Sequence, residues 1–553
     1  MTPPPPPPAE PADPGLDECL RLLEAVPAAA ASAPAFRRHW PSISASLAAL
    51  SAALASPAFP PAAPLLVPLA AALNALLSAA ATDAPRLGHL HTVSLLSSTA
   101  ASLSHLAADA RLLAAAPPAS APAAADSGAD ALISRLRLGS AASRAAALEE
   151  LAASAASLPA PSAAAAVSAV AAMLDSAAGG DLLPPARERA VSVLATFAAS
   201  DAARRFLSQE SGAVVPHLCR ALESGGAGAE HACAALLPLT AASRDAAAAV
   251  AARGGVAALL AACASGTPAA QAAAAGVLRN LAAFPDLLPW FSDEGGALPL
   301  LIQLVSLGTP RAQELALGCL QNLTAGGDGD DGQRLRVDAF QEGALGCVKD
   351  FLDGSRGDEP GLAPALGLLR NMASFRYIAE IAASAGFAAH AAAALGSDRS
   401  ATRAEAALAL AELCGNAATG GSKEARRELE EAVPRLVWML EAKAAAERGA
   451  AARALAAVLA ASGACRKLFR RDERGVVNAV QLLDPAGGGV DVDRRHPVAA
   501  LLAVAQSRRC RKQMVAAGAC GFLQGLVSAE VEGAKKLAEC LGKGKMLGVF
   551  PRT

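Results

Sequence analysis

Aromatic residues are scarce in this chain: 13 Phe, 3 Trp and 1 Tyr among 553 residues. So few rings argue against a large sheet protein, while abundant alanine, the best helix former, favours an all-α chain. An excess of charge of one sign is also missing. Lys and Arg number 48 against 50 Asp and Glu, a net charge of -2, which excludes a strong global field for nucleic acid or membrane. The 11 cysteines stand singly, with no CxxC pair. That argues against thiolate metal sites and reads as small buried hydrophobes in a reducing compartment. No apolar run is long enough to cross a membrane: the best, from Leu65 to Ala81, is interrupted by Pro68, Asn74 and Ser78. The opening "MTPPPPPPAE" lacks the basic and apolar regions of a signal peptide. Glu10, Asp13, Asp17, Glu18 and Glu24 place acid where transit peptides avoid it. HExxH, GxSxG and P-loop signatures are missing, and the 8 histidines are dispersed. The acidic "GGDGDDG" stretch, Gly326 to Gly332, lacks the glutamate an EF-hand needs, because Ala339 stands at the twelfth position; it reads as a loop. The expectation is a non-enzymatic protein with no cofactor, no metal and no small-molecule substrate.

What is present is helical periodicity. Residues 1–15 form a Pro-rich tail expected to be disordered. Residues 16–116 read as a helical bundle, with segments Leu16–Ala31, Phe36–Ala55, Ala62–Ala81 and Arg86–Ala115 separated by prolines. Residues 117–129 supply a linker, and residues 529–553 a basic C-terminal tail.

Between them, over 130–528, a phrase repeats: "GVLRNLA" from Gly276, "GCLQNLT" from Gly318 and "GLLRNMA" from Gly367. The apolar anchor of that phrase falls at Leu151, Phe197, Leu239, Leu281, Leu323, Met372, Leu413, Val458 and Val504, with three consecutive steps of 42 residues. That period belongs to helical solenoids. Gly- or Ala-containing turns precede second helices at "SGAVVPHLCRAL" (Ser211), "RGGVAALLAACA" (Arg253), "EGGALPLLIQLV" (Glu294), "EGALGCVKDFL" (Glu342), "EAVPRLVWML" (Glu431) and "RGVVNAVQLL" (Arg474). Thr309 followed by Pro310 reads as the N-cap and first turn of a third helix.

The combination of G-A-(L/V)-P-x-L-(V/I)-x-L-(L/V) with A-x-x-x-L-x-N-L-(A/T) resembles the armadillo repeat. The whole arrangement is similar to plant armadillo-repeat proteins of the vacuolar-protein-8-like and U-box groups, without the U-box, for which the linker leaves no room. The resemblance implies an all-α, right-handed armadillo-repeat superhelix of about nine repeats after the N-terminal bundle. Its third helices would line a concave peptide-binding groove. In armadillo receptors an asparagine at the position of Asn280, Asn322 and Asn371 bonds the main chain of an extended peptide; an amide supplies both donor and acceptor. The same amide could instead bond a neighbouring repeat. Arg279, Gln321 and Arg370 precede the three asparagines. Gly276, Gly318 and Gly367 stand where nuclear-import receptors carry tryptophan, so capture of basic targeting peptides by that mechanism is not expected.

A basic flank follows: Arg466, Lys467, Arg470, Arg471, Arg508, Arg509, Arg511 and Lys512. It could touch acidic headgroups weakly. Thr2 stands where myristoylation needs glycine. The expected role is a cytoplasmic or nuclear scaffold that holds an extended or acidic protein segment and binds no nucleic acid. The alternative is a non-catalytic part of a ubiquitin-ligase or membrane-trafficking assembly.

Overall fold

The computed structural model describes residues 15–31, 33, 36–57, 59, 65–81, 89–115, 124–139, 141–155, 158–176, 184–293, 296–326, 330–355, 357, 359–416, 423–484 and 492–546. Among the described residues every regular element is helical. The chain divides into two compact units, Met1–Arg253 and Gly254–Thr553. The Pro-rich residues 1–14 and the segment 116–123 lie outside the described residues.

In the first unit, helices Leu16–Ala31, Trp40–Leu54, Leu66–Ala81 and His89–Ala115 form the bundle. Ile43, Leu50, Leu69, Leu73, Leu96 and Leu103 are wholly buried in its core. Pro27 lies inside its helix rather than at an end; proline cannot donate a main-chain hydrogen bond, yet the helix continues to Ala31. The stretch read as a linker is helical from Ala124. Ala129, Ile133 and Leu136 bury one face of that helix, and Arg135 Nη1 reaches both carboxylate oxygens of Glu150 at 3.0 and 3.1 Å. This helix packs on His89–Ala115. Accordingly the compact units part at Arg253, inside the repeats, and not at the Pro-rich segment. Helices Ala141–Ser154, Pro184–Ala199 and Gly226–Ala242 then stack in sequence.

In the second unit the repeat is a short first helix, a second helix and a third that stacks on its equivalents, the armadillo-type arrangement. The third helices are Pro268–Ala282, Pro310–Ala325, Leu362–Ala373, Ser400–Asn416, Ala445–Ala461 and Arg495–Val504, each packed against the next. All nine sequence anchors, from Leu151 to Val504, are buried. Within each unit the stacked repeats therefore share their apolar faces with their neighbours, the way a solenoid sums nearest-neighbour interfaces into a core.

Local chemistry explains the breaks. Thr309 Oγ1 accepts from Ala312 N at 3.3 Å with Pro310 in the first turn, and Thr267 caps the Pro268 helix the same way at 3.2 Å. Gly343 takes φ 88° between a first and a second helix, a left-handed conformation that favours glycine. At Glu431 the expected turn does not form. Ala432 offers no such freedom, and one continuous helix, Lys423–Met439, spans both elements with Pro434 inside it. At Arg474 the break is made by Asp472, whose carboxylate accepts from Arg474 N and Gly475 N. The acidic stretch is helical from Asp330 onward. The C-terminal stretch is not a tail throughout: helix Ala534–Met546 buries Leu537 and Leu541 and packs on Arg495–Val504.

Candidate functional site: a polar ladder on the third helices

The recurring asparagines sit near the C-terminal ends of the third helices, where terminal carbonyls lack intrahelical donors. Asn322 Nδ2 donates to the carbonyl of Arg279 at 2.9 Å. One repeat on, Asn371 Nδ2 donates to the carbonyl of Gln321 at 2.8 Å and to Thr324 Oγ1 at 3.1 Å. Each amide thus ties the end of its helix to the end of the preceding third helix. Asn280 and Asn371 are buried. The Asn371 Oδ1 accepts from Arg370 Nε and Nη2, both at 3.1 Å, and Arg279 Nη2 donates to Asn280 Oδ1 at 3.4 Å. Both Asn371 donors and its acceptor are therefore engaged within the protein. Here the amide serves as a staple between repeats, and a peptide main chain would have to displace it.

The glycines have an equally specific use. A Cβ on Gly318 would stand 2.7 Å from Arg279 Cδ, and one on Gly367 only 2.1 Å from Gln321 Nε2. The missing side chain lets the long residue of the preceding repeat lie across the helix. Gln321 passes over Gly367 and donates to Glu405 Oε1 at 3.3 Å, two repeats further on. Arg370 Nη1 donates to the other oxygen of Glu405 at 2.8 Å. Gly276 is buried in its helix. Gln321, Arg370 and Glu405 thus form one polar rail across three third helices. Burial pushes the Glu405 carboxyl above its usual range, opposed by Arg370 and Gln321.

Beyond Glu405 the pattern inverts. Glu412 occupies the asparagine register and Arg453 the glycine register, and the two form an ion pair. Asn416, one turn after Glu412, supplies the staple instead: its Nδ2 donates to the carbonyl of Ala373 at 3.0 Å and to Glu412 Oε2 at 2.9 Å. Arg403 and the buried Glu447 make a second pair between successive third helices, at 2.5 and 3.1 Å. Glu405, Asn416 and Arg453 were not singled out from the sequence, whereas Glu412 falls in the aligned asparagine register. Extending the glycine register to position 453 would have exposed the substitution of arginine for glycine.

The basic flank separates into two kinds of residue. Arg466 Nη1 donates to the carbonyl of Leu459 at 2.6 Å and Arg511 Nη1 to that of Ala505 at 2.8 Å. Arg204 donates likewise, through Nε, to the carbonyl of Ala198 at 2.9 Å. All three stand fourth in a first helix and close on the end of the preceding third helix, where a cation meets unpaired carbonyls and the negative end of the helix dipole. Arg470 Nε bonds the carbonyl of Arg466, so Arg466, Arg470 and Arg511 serve the fold. Arg509 faces Glu473 at 3.4 Å. Lys467, Arg471, Arg508 and Lys512 are exposed, in two pairs one turn apart.

Burial raises the thiols of Cys263 and Cys414 to about 12 and that of Cys219 to about 11, which keeps these three protonated and poorly nucleophilic near neutral pH; Cys520, by contrast, is exposed. Among the described residues no group of three or more His, Cys, Asp or Glu is placed to hold a metal ion.

No family model and no curated protein matches the chain. Among solved structures, an engineered protein aligns at 24% identity over 75% of this chain and 98% of its own, with a TM-score of 0.59. A designed armadillo repeat protein in complex with peptide (KR)4 aligns at 19% identity over 44% of this chain and 99% of its own, with a TM-score of 0.37. At 24% identity the likeness to the engineered protein is one of fold: an all-α repeat solenoid.

Proposed function

We propose that this chain is a non-enzymatic scaffold, and that the face built by its third helices in Gly254–Thr553 receives an extended segment of another protein. The observation that supports this most directly is the row of two bonded clusters, Gln321, Arg370 and Glu405 followed by Glu412 and Arg453. It presents charged and amide groups in successive tiers on one face, where an extended chain can meet one tier per repeat. Arg279, Gln321 and Arg370 belong to this surface. Asn322 and Asn371, which bond the preceding third helix, hold its geometry from beneath as positioning residues, and the buried Asn280 stands in the same register.

In this reading the chain works in the cytoplasm or nucleus beside partners with extended, acidic stretches. Its relation to vacuolar-protein-8-like and U-box armadillo proteins lacking the U-box remains part of the proposal. The exposed Lys467, Arg471, Arg508 and Lys512 support, as a second contact, weak attraction to acidic surfaces. The test is proximity labelling with the wild type and with a variant carrying Gln321→Ala, Arg370→Ala and Arg453→Gln, with helicity and thermal midpoint checked by circular dichroism. At least one labelled partner is expected to disappear while the fold persists. An unchanged set of partners would reject the groove.

A further inference from the structure

The rail opens into a cleft of about 150 Å³ on the second unit. Three guanidinium groups line it, from three different helices: Arg336 of Asp330–Gln341, Arg370 of Leu362–Ala373 and Arg453 of Ala445–Ala461. Each is fixed. Arg336 Nη1 donates to Ser374 Oγ at 3.1 Å and Nη2 to the carbonyl of Gly326 at 2.5 Å, and the guanidinium lies over the Phe375 ring at 5.8 Å. Arg370 is held by Asn371 and Glu405. Arg453 pairs with Glu412, yet 43% of its side chain stays exposed. Glu412, the one carboxylate among the described residues that line the cleft, is held from the other side by Asn416. The cleft therefore carries an anionic group from its own chain, on the cation nearest to solvent, with two further guanidinium groups beside it.

We propose that this cleft binds a phosphomonoester on an extended peptide, displacing Glu412 from Arg453. This inference rests on the groove reading above and names the chemistry of its occupant. A carboxylate on the ligand would only replace the carboxylate already there, one for one. A phosphomonoester carries close to two charges at neutral pH and three acceptor oxygens, so it can engage more than one planar guanidinium at once, which the carboxylate of Glu412 does not. Arg370 and Arg336, anchored by Asn371 and Ser374, need no reorganisation to meet it. Because the second phosphate ionisation lies near pH 6, binding weakens as the pH falls below that value.

The test uses the full chain and fluorescence anisotropy with three fluorescein-labelled heptapeptides, alanine throughout except for a central phosphoserine, serine or glutamate. The phosphoserine peptide is expected to bind at least about tenfold more tightly than the other two, the factor one charge-assisted hydrogen bond supplies. Inorganic phosphate should compete it away. Arg453→Gln should remove most of the preference, and Glu412→Gln should strengthen binding by freeing Arg453. Arg376→Gln, at an exposed arginine outside the cleft, should change nothing. Equal binding of phosphoserine and glutamate peptides would overturn the proposal, as would an Arg376→Gln loss equal to that of Arg453→Gln. Either failure leaves the groove standing if partners are still lost from the rail variant. Loss of the groove itself would show as partners unaffected by that variant.

Discussion

Asn371 and Gly367 show how much of this fold depends on single atoms. The buried amide of Asn371 donates to a helix-end carbonyl and a hydroxyl of the previous repeat, and its own polar groups would be costly to leave unpaired. Gly367 does the opposite work by leaving space, and that space is filled by Gln321 on its way to Glu405. A Gly367→Ala change should therefore reverse sign with its background. In the wild type it displaces Gln321 and weakens the bond to Glu405, so the thermal midpoint falls. With Gln321→Ala already present, the clash is gone and alanine's better helix propensity, about 1 kcal/mol, raises the midpoint instead. Equal falls in both backgrounds would remove the space-filling account. The sequence placed Asn280, Asn322, Asn371 and the three glycines in one register. It did not disclose their partners, because Gln321 and Glu405 stand 84 residues apart and meet only when the repeats are stacked with their real stagger.

At the scale of the helix, starts and stops decide the architecture. The Thr309–Pro310 cap was legible because its chemistry is local. The fused helix Lys423–Met439 was not, since its continuity depends on the absence of a left-handed residue at Ala432 rather than on any positive signal. The helix from Ala124 was hidden by a Ser-Gly pair whose weak propensity is overridden by burial of Ile133 and Leu136. The helix Arg495–Val504 is tied at its start by Asp493, which accepts from Arg495 N at 3.0 Å and Nη2 at 2.6 Å. The hydrogen bond from the Arg495 side chain, its largest cause, holds the Asp493 carboxyl down from 3.8 to about 2. A carboxyl with a depressed folded-state value contributes stability above its unfolded value and loses it as the pH falls through the folded one. The thermal midpoint of the wild type should thus exceed that of Asp493→Asn at pH 5, with the gap closing as the pH approaches 2. The gap should be small, because the side chain is 38% exposed. A gap that widens on acidification would contradict this assignment.

At the scale of the molecule, the 42-residue period sufficed to anticipate stacked helical repeats, because a unit that cannot bury its own apolar face must repeat its anchors in register. The two compact units did not show in the sequence, since the periodicity runs across Arg253 without a break. The proposed partner surface was visible only as a row of polar residues, and its division into staples, spacers and exposed cations needed the packed structure. The central claim is that the third-helix face meets an extended polypeptide. A photo-reactive benzoylphenylalanine at the exposed Ala325, which lines the cleft, should crosslink partner peptides in cells. The same probe at Leu307, the 78% exposed end of a second helix, should not. Crosslinks of equal yield at both positions, or at Leu307 alone, would contradict it.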